Sequence, residues 1–406
     1  LYICYFGLHE PLVQTQVLPY LRQLAASEIK VHLLTFEGHS QTSIDQTKAE
    51  QQLLTEQGIN WRSLTYHKRP SLPATLYDVV MGARVAAALA RQEKIQVLHA
   101  RAHMPLAMAL LAQRLTRTKL IFDLRGLMAE EYADAGIWRA GSLVFRVVKR
   151  LERIGIRRAD QIVVLTERMR NWLITHNLKC AEEIEVIPCC VDCERFAESV
   201  ADTRFETQEG GRFEVVYAGS LVGLYLVEEM GRFFKAVKKH RPEAFFRLLS
   251  VSPPGPAVMA LTRGGLNEND FEIRAVPPAD VPAYLARARL GLSFRKSTFA
   301  QIAASPTKIP EYLAAGVPVV CNAGIGDTDE LVTRERVGVV LPTFDDASFE
   351  VAAVQALALV DDLDVGARCQ HVAGKYFDLQ TVGGPRYLQV YRRLFDRAAE
   401  KVQVET

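Results

Sequence analysis

The residues whose types and spacing could do chemistry gather in one stretch, Ser305-Pro306-Thr307-Lys308-Ile309-Pro310-Glu311. Lys308 and Glu311 are three apart, and Thr307 and Glu311 four apart, so on a helix all three share one face. Ser305 is a residue type that caps helices, and Pro306 suits a first turn. Gly316 follows a run of good helix formers and reads as the stop. The apolar, β-branched run 317–321 has the composition of a buried strand. A turn, Ala323-Gly324-Ile325-Gly326, then opens a second helix at Asp327 or Thr328. The chemistry is that of a nucleotide site. Free N–H groups at a helix N-terminus attract a diphosphate. A lysine one turn in adds charge, and a carboxylate one turn further takes two ribose hydroxyls.

Other groups stand where parallel sheets place chemistry, at the C-terminal ends of strands. Asp123-Leu124-Arg125-Gly126 closes one short strand. Arg125 reads either as an anchor for phosphate or acceptor or as the partner of Asp123 or Glu130. His103 precedes a helix, where catalysis competes with capping or packing. Gly219-Ser220 forms a strand-to-helix turn able to present N–H groups to phosphate. Arg295 and Lys296 follow another strand, either as phosphate ligands or as solvated loop charges. Asp327 and Asp329 begin a helix, where aspartate is wanted for capping, so no metal is expected there. The Cys189, Cys190 and Cys193 cluster has no second pair at ligand spacing and does not read as a zinc site.

The elements that must position these residues alternate along the chain. Strands are expected at 1–6, 29–36, 59–65, 95–99, 120–123, 160–165 and 184–187, with helices between them at 15–26, 40–57, 72–92, 102–115, 141–158 and 167–175. A second series of strands falls at 213–218, 244–251, 271–275, 290–294 and 317–321, with helices at 227–240, 256–263 and within 347–368. The polar stretch 199–212 reads as a linker. Alternation of this kind builds parallel sheets, and 406 residues is too long for one core. In 141–158, Val144, Val147, Val148, Leu151 and Ile154 make one stripe and Arg146, Arg150, Arg153 and Arg157 another, with Lys149 beside it. Two readings stand: a face for an anionic bilayer carrying a lipid-linked acceptor, or a core helix with a solvated basic side. The width of the apolar stripe favours core packing.

A hydrophobic content of 49% with 24% charged residues is that of a soluble globular protein. A net charge of +2 supplies no field that would gather nucleic acid. Seven scattered cysteines suit a reducing compartment. No basic region opens the chain as in a signal peptide, and no apolar run reaches the roughly 18–20 residues of a membrane span.

The motif SPTK-x-x-EYLA-x-G-x-PVV resembles the donor-binding segment of the retaining glycosyltransferases of family 4, which have the GT-B fold. The resemblance implies an α/β protein of two Rossmann-like parallel-sheet domains facing a central cleft. An acceptor domain at 1–195 and a nucleotide-sugar domain at 196–380 would be followed by a helix at 381–406 crossing back to the first. It implies transfer of a sugar from a UDP- or GDP-sugar to a hydroxyl on a glycan, lipid-linked sugar or small molecule, in the cytoplasm or at the inner face of the membrane, with no cofactor, no metal and no nucleic acid. Ser305, Thr307, Lys308 and Glu311 would bind the donor with Gly219, Ser220, Arg295 and Lys296. His103, Asp123 and Arg125 would be the catalytic group. Glu311 matches the second glutamate of the family's Glu-x7-Glu motif, which binds the ribose. The chain departs from the family at three points. Ala303 stands for the first glutamate, Asp123 stands where many members have a histidine, and no Arg or Lys follows the Gly-Ser turn before Arg232. The competing classes are a sugar-nucleotide 2-epimerase, a non-enzymatic sugar-binding protein, and an inactive relative that binds the donor.

Overall fold

A computed structural model describes residues 1–27, 29–38, 44–204 and 212–404. The chain divides into two compact units. The first is Leu1–Ala133, Trp138–Pro188 and Gly383–Thr406; the second is Cys189–Val382 with Asp134–Ile137. The sequence reading had put the boundaries at 195 and 380.

The first unit is built on seven parallel strands: β1 (Tyr2–Ile3), β2 (Val31–Glu37), β3 (Ile59–Thr65), β4 (Val97–Arg101), β5 (Lys119–Leu124), β6 (Gln161–Val164) and β7 (Ile184–Val186). Their order is β3-β2-β1-β4-β5-β6-β7, so the winding reverses between β1 and β4. β4 is buried at every position and β2 at all but its last, as strands covered by helices on both faces must be.

The second unit has six: β8 (Glu214–Ala218), β9 (Phe245–Leu249), β10 (Phe271–Arg274), β11 (Leu290–Ser293), β12 (Val319–Asn322) and β13 (Gly338–Leu341). Their order is β10-β9-β8-β11-β12-β13, reversing between β8 and β11. Two apolar layers cover this sheet. One centres on Phe233, Phe234, Phe246, Phe294 and Phe349, the other on Ile309, Tyr312, Leu313, Val332 and Val372.

Three expectations change. Residues 193–204, read within the domain junction and linker, form the helix Cys193–Arg204; the remainder of that linker, 205–211, lies outside the described residues. The helix Ser71–Gln92 is long and apolar enough to cross a membrane by length and composition, because its alanines, valines and leucines raise its hydropathy. Here Ala83, Ala86, Ala87 and Ala90 pack it within the first unit. The third change is the face of Leu143–Arg158. The residues it buries are Val148, Glu152, Gly155 and Ile156, while Val147 and Ile154 stay exposed. The cause is Gly155: a Cβ there would lie 2.3 Å from Leu106, so the helix approaches its neighbour through the glycine and the expected stripe turns aside.

Candidate functional site

The strand order of the second sheet reverses between β8 and β11, and the residues just beyond these two strands meet. Such a reversal leaves a crevice at the C-terminal ends, the place where open α/β sheets bind ligands. After β8 the chain turns at Gly219, whose φ of +133° lies in the region that favours glycine. A Cβ there would come 3.3 Å from both Cε and Nζ of Lys308, so the missing side chain lets the lysine lie against the turn. Tyr217 donates its hydroxyl to the Ser220 carbonyl and holds the turn closed. The Ser220 hydroxyl accepts from Val222 N at 3.3 Å.

Lys308 opens the helix Lys308–Ala314 and is only 3% exposed. Its ammonium sits 4.9 Å from the ring centre of Tyr217 and 4.5 Å from that of Tyr225. Among the described residues no carboxylate pairs with it. Arg295, just past β11, lies 5.4 Å over the same Tyr225 ring, and its Nε is buried with no hydrogen-bond partner. Burial pushes the Lys308 amine below its ordinary pKa, and the Arg295 charge adds to that, against the upward pulls of Tyr225 and Glu311. Two cations thus share one aromatic ring without a counter-ion among the described residues, an arrangement that an anion would relieve.

Glu311 lies one turn along the helix and is half-buried. Its surroundings push the carboxyl up to about 7, burial outweighing the opposite pull of Lys308 and Arg195. It accepts no hydrogen bond from the described residues and so keeps its oxygens for a ligand. Tyr312 ties the two strands together. Its hydroxyl accepts from Ala218 N at 2.8 Å and donates to the Leu292 carbonyl at 3.2 Å.

The remaining donor-side expectations fare differently. Ser305 does not cap the helix, which begins three residues later; its hydroxyl accepts instead from Cys189 N at 3.2 Å. Thr307 occupies the N-cap position without a side-chain bond to the helix. Lys296 does not join Lys308 and Arg295, because its ammonium donates to the Asp134 carbonyl at 3.1 Å.

In the first unit the expected catalytic group is a set of internal ion pairs. Asp123 is fully buried at the end of β5. It accepts from Tyr387 at 2.9 Å and Tyr2 at 3.4 Å, and lies 3.3 Å from Arg101 and 3.5 Å from Arg125. Burial works against its charge, but Arg125, His99 and Arg101 prevail and hold the carboxyl well below its usual range. His103 is 1% exposed and bonds Glu152 through Nε2 at 2.9 Å; Lys149 holds the other oxygen of that carboxylate. The direct catalytic role expected of Asp123 and His103 does not fit this packing, since neither presents an acting atom to solvent. Arg125 is the pair-forming residue its second reading described.

A cavity of about 700 Å³ elsewhere in the first unit is lined by Arg170, Arg386 and Arg393 among others. Its cations are engaged: Arg393 pairs with Glu185 at 2.8 Å, Arg170 with Glu167 at 3.4 Å, and Arg386 donates to the Val186 carbonyl.

Sequence reasoning missed Tyr217, Tyr225 and Tyr312, and also Arg101, Glu152 and Tyr387. Tyr217 and Tyr225 do flank the Gly-Ser turn, which is the one signal that could have found them. The partners of Asp123 are brought in by sheet order and by a helix more than 250 residues away, and leave no trace in local spacing.

Residues 13–195 match the family model described as Glycosyltransferase Family 4. That stretch of the chain is similar to glycosyltransferase family 4. Solved structures agree with a GT-B fold for the whole. Sucrose-phosphate synthase from Thermosynechococcus elongatus superposes with a TM-score of 0.71 at 15% identity, covering 98% of each chain. HepE of Anabaena in complex with UDP and glucose gives 0.66 at 17% identity, covering 97% of this chain and 98% of that one. An α,α-trehalose-phosphate synthase (UDP-forming) from Burkholderia vietnamiensis gives 0.64 at 14%, covering 100% and 99%. At these identities the likeness of this chain to each of them is one of fold. No curated protein matches the sequence.

Proposed function

We propose that this protein is a retaining glycosyltransferase that moves a sugar from a UDP- or GDP-sugar to a hydroxyl of a glycan, a lipid-linked sugar or a small molecule. The observation that carries the reading is the pair of cations over Tyr225, the buried Lys308 beside Gly219 and the half-buried Arg295, with no carboxylate among the described residues to neutralise them. A nucleoside diphosphate supplies the missing negative charge. Glu311 takes the ribose hydroxyls from the next turn of the same helix. UDP is the first nucleotide to try, because HepE is seen in complex with UDP and the trehalose-phosphate synthase is UDP-forming.

The two fixed cations act on the leaving group. As the bond from sugar to diphosphate breaks, charge builds on the phosphate oxygens. Preorganised positive groups in a water-poor setting stabilise that charge without reorganising. They perform the neutralising work for which other enzymes recruit a divalent ion, and the reading is therefore metal-independent. Asp123, Arg101, Arg125 and Tyr387 act as a buried support for the strand ends of the first unit. Retention follows the family resemblance. Seven free cysteines suit a reducing, cytoplasmic setting.

The test is calorimetric titration with UDP, GDP and their hexose conjugates, followed by nucleotide-release assays with and without acceptors and NMR of the first product. Micromolar binding of one nucleotide and acceptor-dependent release with the donor's anomeric configuration kept are expected. No binding by any nucleotide would overturn the reading. Inversion at C2 without an acceptor would replace it with epimerisation, and binding without turnover would leave a donor-binding relative.

A further inference from the structure

The helix Leu143–Arg158 presents a face that none of the described residues of the first unit pairs with. Its inward side is the Val148, Glu152, Gly155 and Ile156 line. Its one acid, Glu152, points inward, where His103 and Lys149 engage it; Lys149 also reaches Glu130 at 2.7 Å. The outward side holds Arg146, Arg150, Arg153, Arg157 and Arg158, all exposed. Among the described residues none of the five forms an ion pair. Leu143 is 71% exposed, Val147 56% and Ile154 38%, and their spacing of four and seven puts them in one line with Arg150.

Surface cations elsewhere on this protein are sorted otherwise. Arg232 meets Asp346 at 2.8 Å, Lys239 meets Glu350 at 2.8 Å and Arg241 meets Asp361 at 2.9 Å. An ordinary solvated helix mixes signs in this way. A face with five cations, no acid and an apolar seam among them has the composition of a helix that lies in an anionic lipid surface. The seam enters the acyl boundary and the arginines take the headgroups. A nucleic acid would satisfy the charges but would leave Leu143 and Val147 without a purpose.

We propose that this face docks the protein on an anionic bilayer. The assignment is independent of the donor-site reading, since it shares no residue with it. It also fits an acceptor carried by a lipid.

The test is flotation of the full-length chain with vesicles of phosphatidylcholine alone or mixed with phosphatidylglycerol. Binding to the anionic vesicles only, weakened by high salt, is expected. Arg150→Gln with Arg153→Gln should lower partitioning about 25-fold, at about fivefold for each cation near the surface. Leu143→Ser with Val147→Ser should lower it too, with the charge unchanged. All four positions are exposed, so melting temperature and nucleotide affinity should not move. Absence of flotation with anionic vesicles overturns the proposal, as does flotation that survives both double variants. Loss with the arginine pair alone, joined to equal binding of a DNA duplex, overturns it in favour of a general polyanion patch.

Discussion

Lys308→Met separates a functional charge from a structural one. The substitution keeps an unbranched side chain one heavy atom shorter and removes the ammonium together with its contacts over Tyr217 and Tyr225. In the unliganded protein Lys308 is 3% exposed, and among the described residues no carboxylate pairs with its ammonium. Its two ring contacts recover about 2 kcal/mol each at a desolvated site, no more than the several kcal/mol that burying an unpaired charge costs even after relaxation. Removing it should therefore leave thermal stability unchanged or raise it. Nucleotide binding should move the other way. A unit charge about 4 Å from a phosphate oxygen is worth about 4 kcal/mol at an effective dielectric of about 20. Measured hydrogen bonds to charged groups are worth about 1.5–3 kcal/mol. Arg295 stays in place to carry part of the diphosphate charge, so a loss of about 2–3 kcal/mol is expected. That is a rise in the Kd for UDP of about 30- to 150-fold. Calorimetric titration reads the affinity, and differential scanning calorimetry without ligand reads the stability. A variant that melts lower and binds as before would show that Lys308 is a structural residue, and the charge argument would fail.

Glu311 gives a pH signature. Its carboxyl in the folded chain sits near 7, above its ordinary value of 4.5, so the fold holds a proton that the unfolded chain has released. Stability should then fall as pH rises from about 4.5 to 7, and Glu311→Gln should flatten that part of the melting profile. Ribose hydroxyls favour the carboxylate, so affinity for a UDP-sugar should rise from pH 5 to 8 in the natural protein and stay level in the glutamine variant; parallel profiles would refute the assignment. Tyr387→Phe removes a 2.9 Å bond to the buried Asp123 carboxylate, for which a loss of about 1.5–3 kcal/mol of stability is expected. Denaturant titration checks this, and UDP affinity should not change, because the bond lies within the first unit. A fall in affinity matching the fall in stability would contradict the supporting role given to Asp123.

Local pattern was enough for most of the scaffold. Ile59–Thr65, Glu167–Thr175 and Val227–His240 occupy the residues expected of them, because periodicity and breakers lie within each segment. Gly316, with a φ of +75°, ends its helix as glycine should. The helix of Leu143–Arg158 was legible as a helix, but its buried face was not. Hydrophobicity ranked Val147 and Ile154 as core, whereas the closeness allowed by Gly155 decided the rotation.

The sequence by itself determined two parallel-sheet units and the presence of Lys308 and Glu311 on one short helix, because helix spacing is a property of neighbours along the chain. It also named Arg295 as a cation able to serve a phosphate. Only the tertiary structure decided that Arg295 belongs with Lys308 and Lys296 does not, since strand order at the β8–β11 reversal sets what meets there. The same holds for Asp123 and His103. Their chemistry looked available until the sheet and the C-terminal helix enclosed them, because burial and partners come from residues far away in the chain.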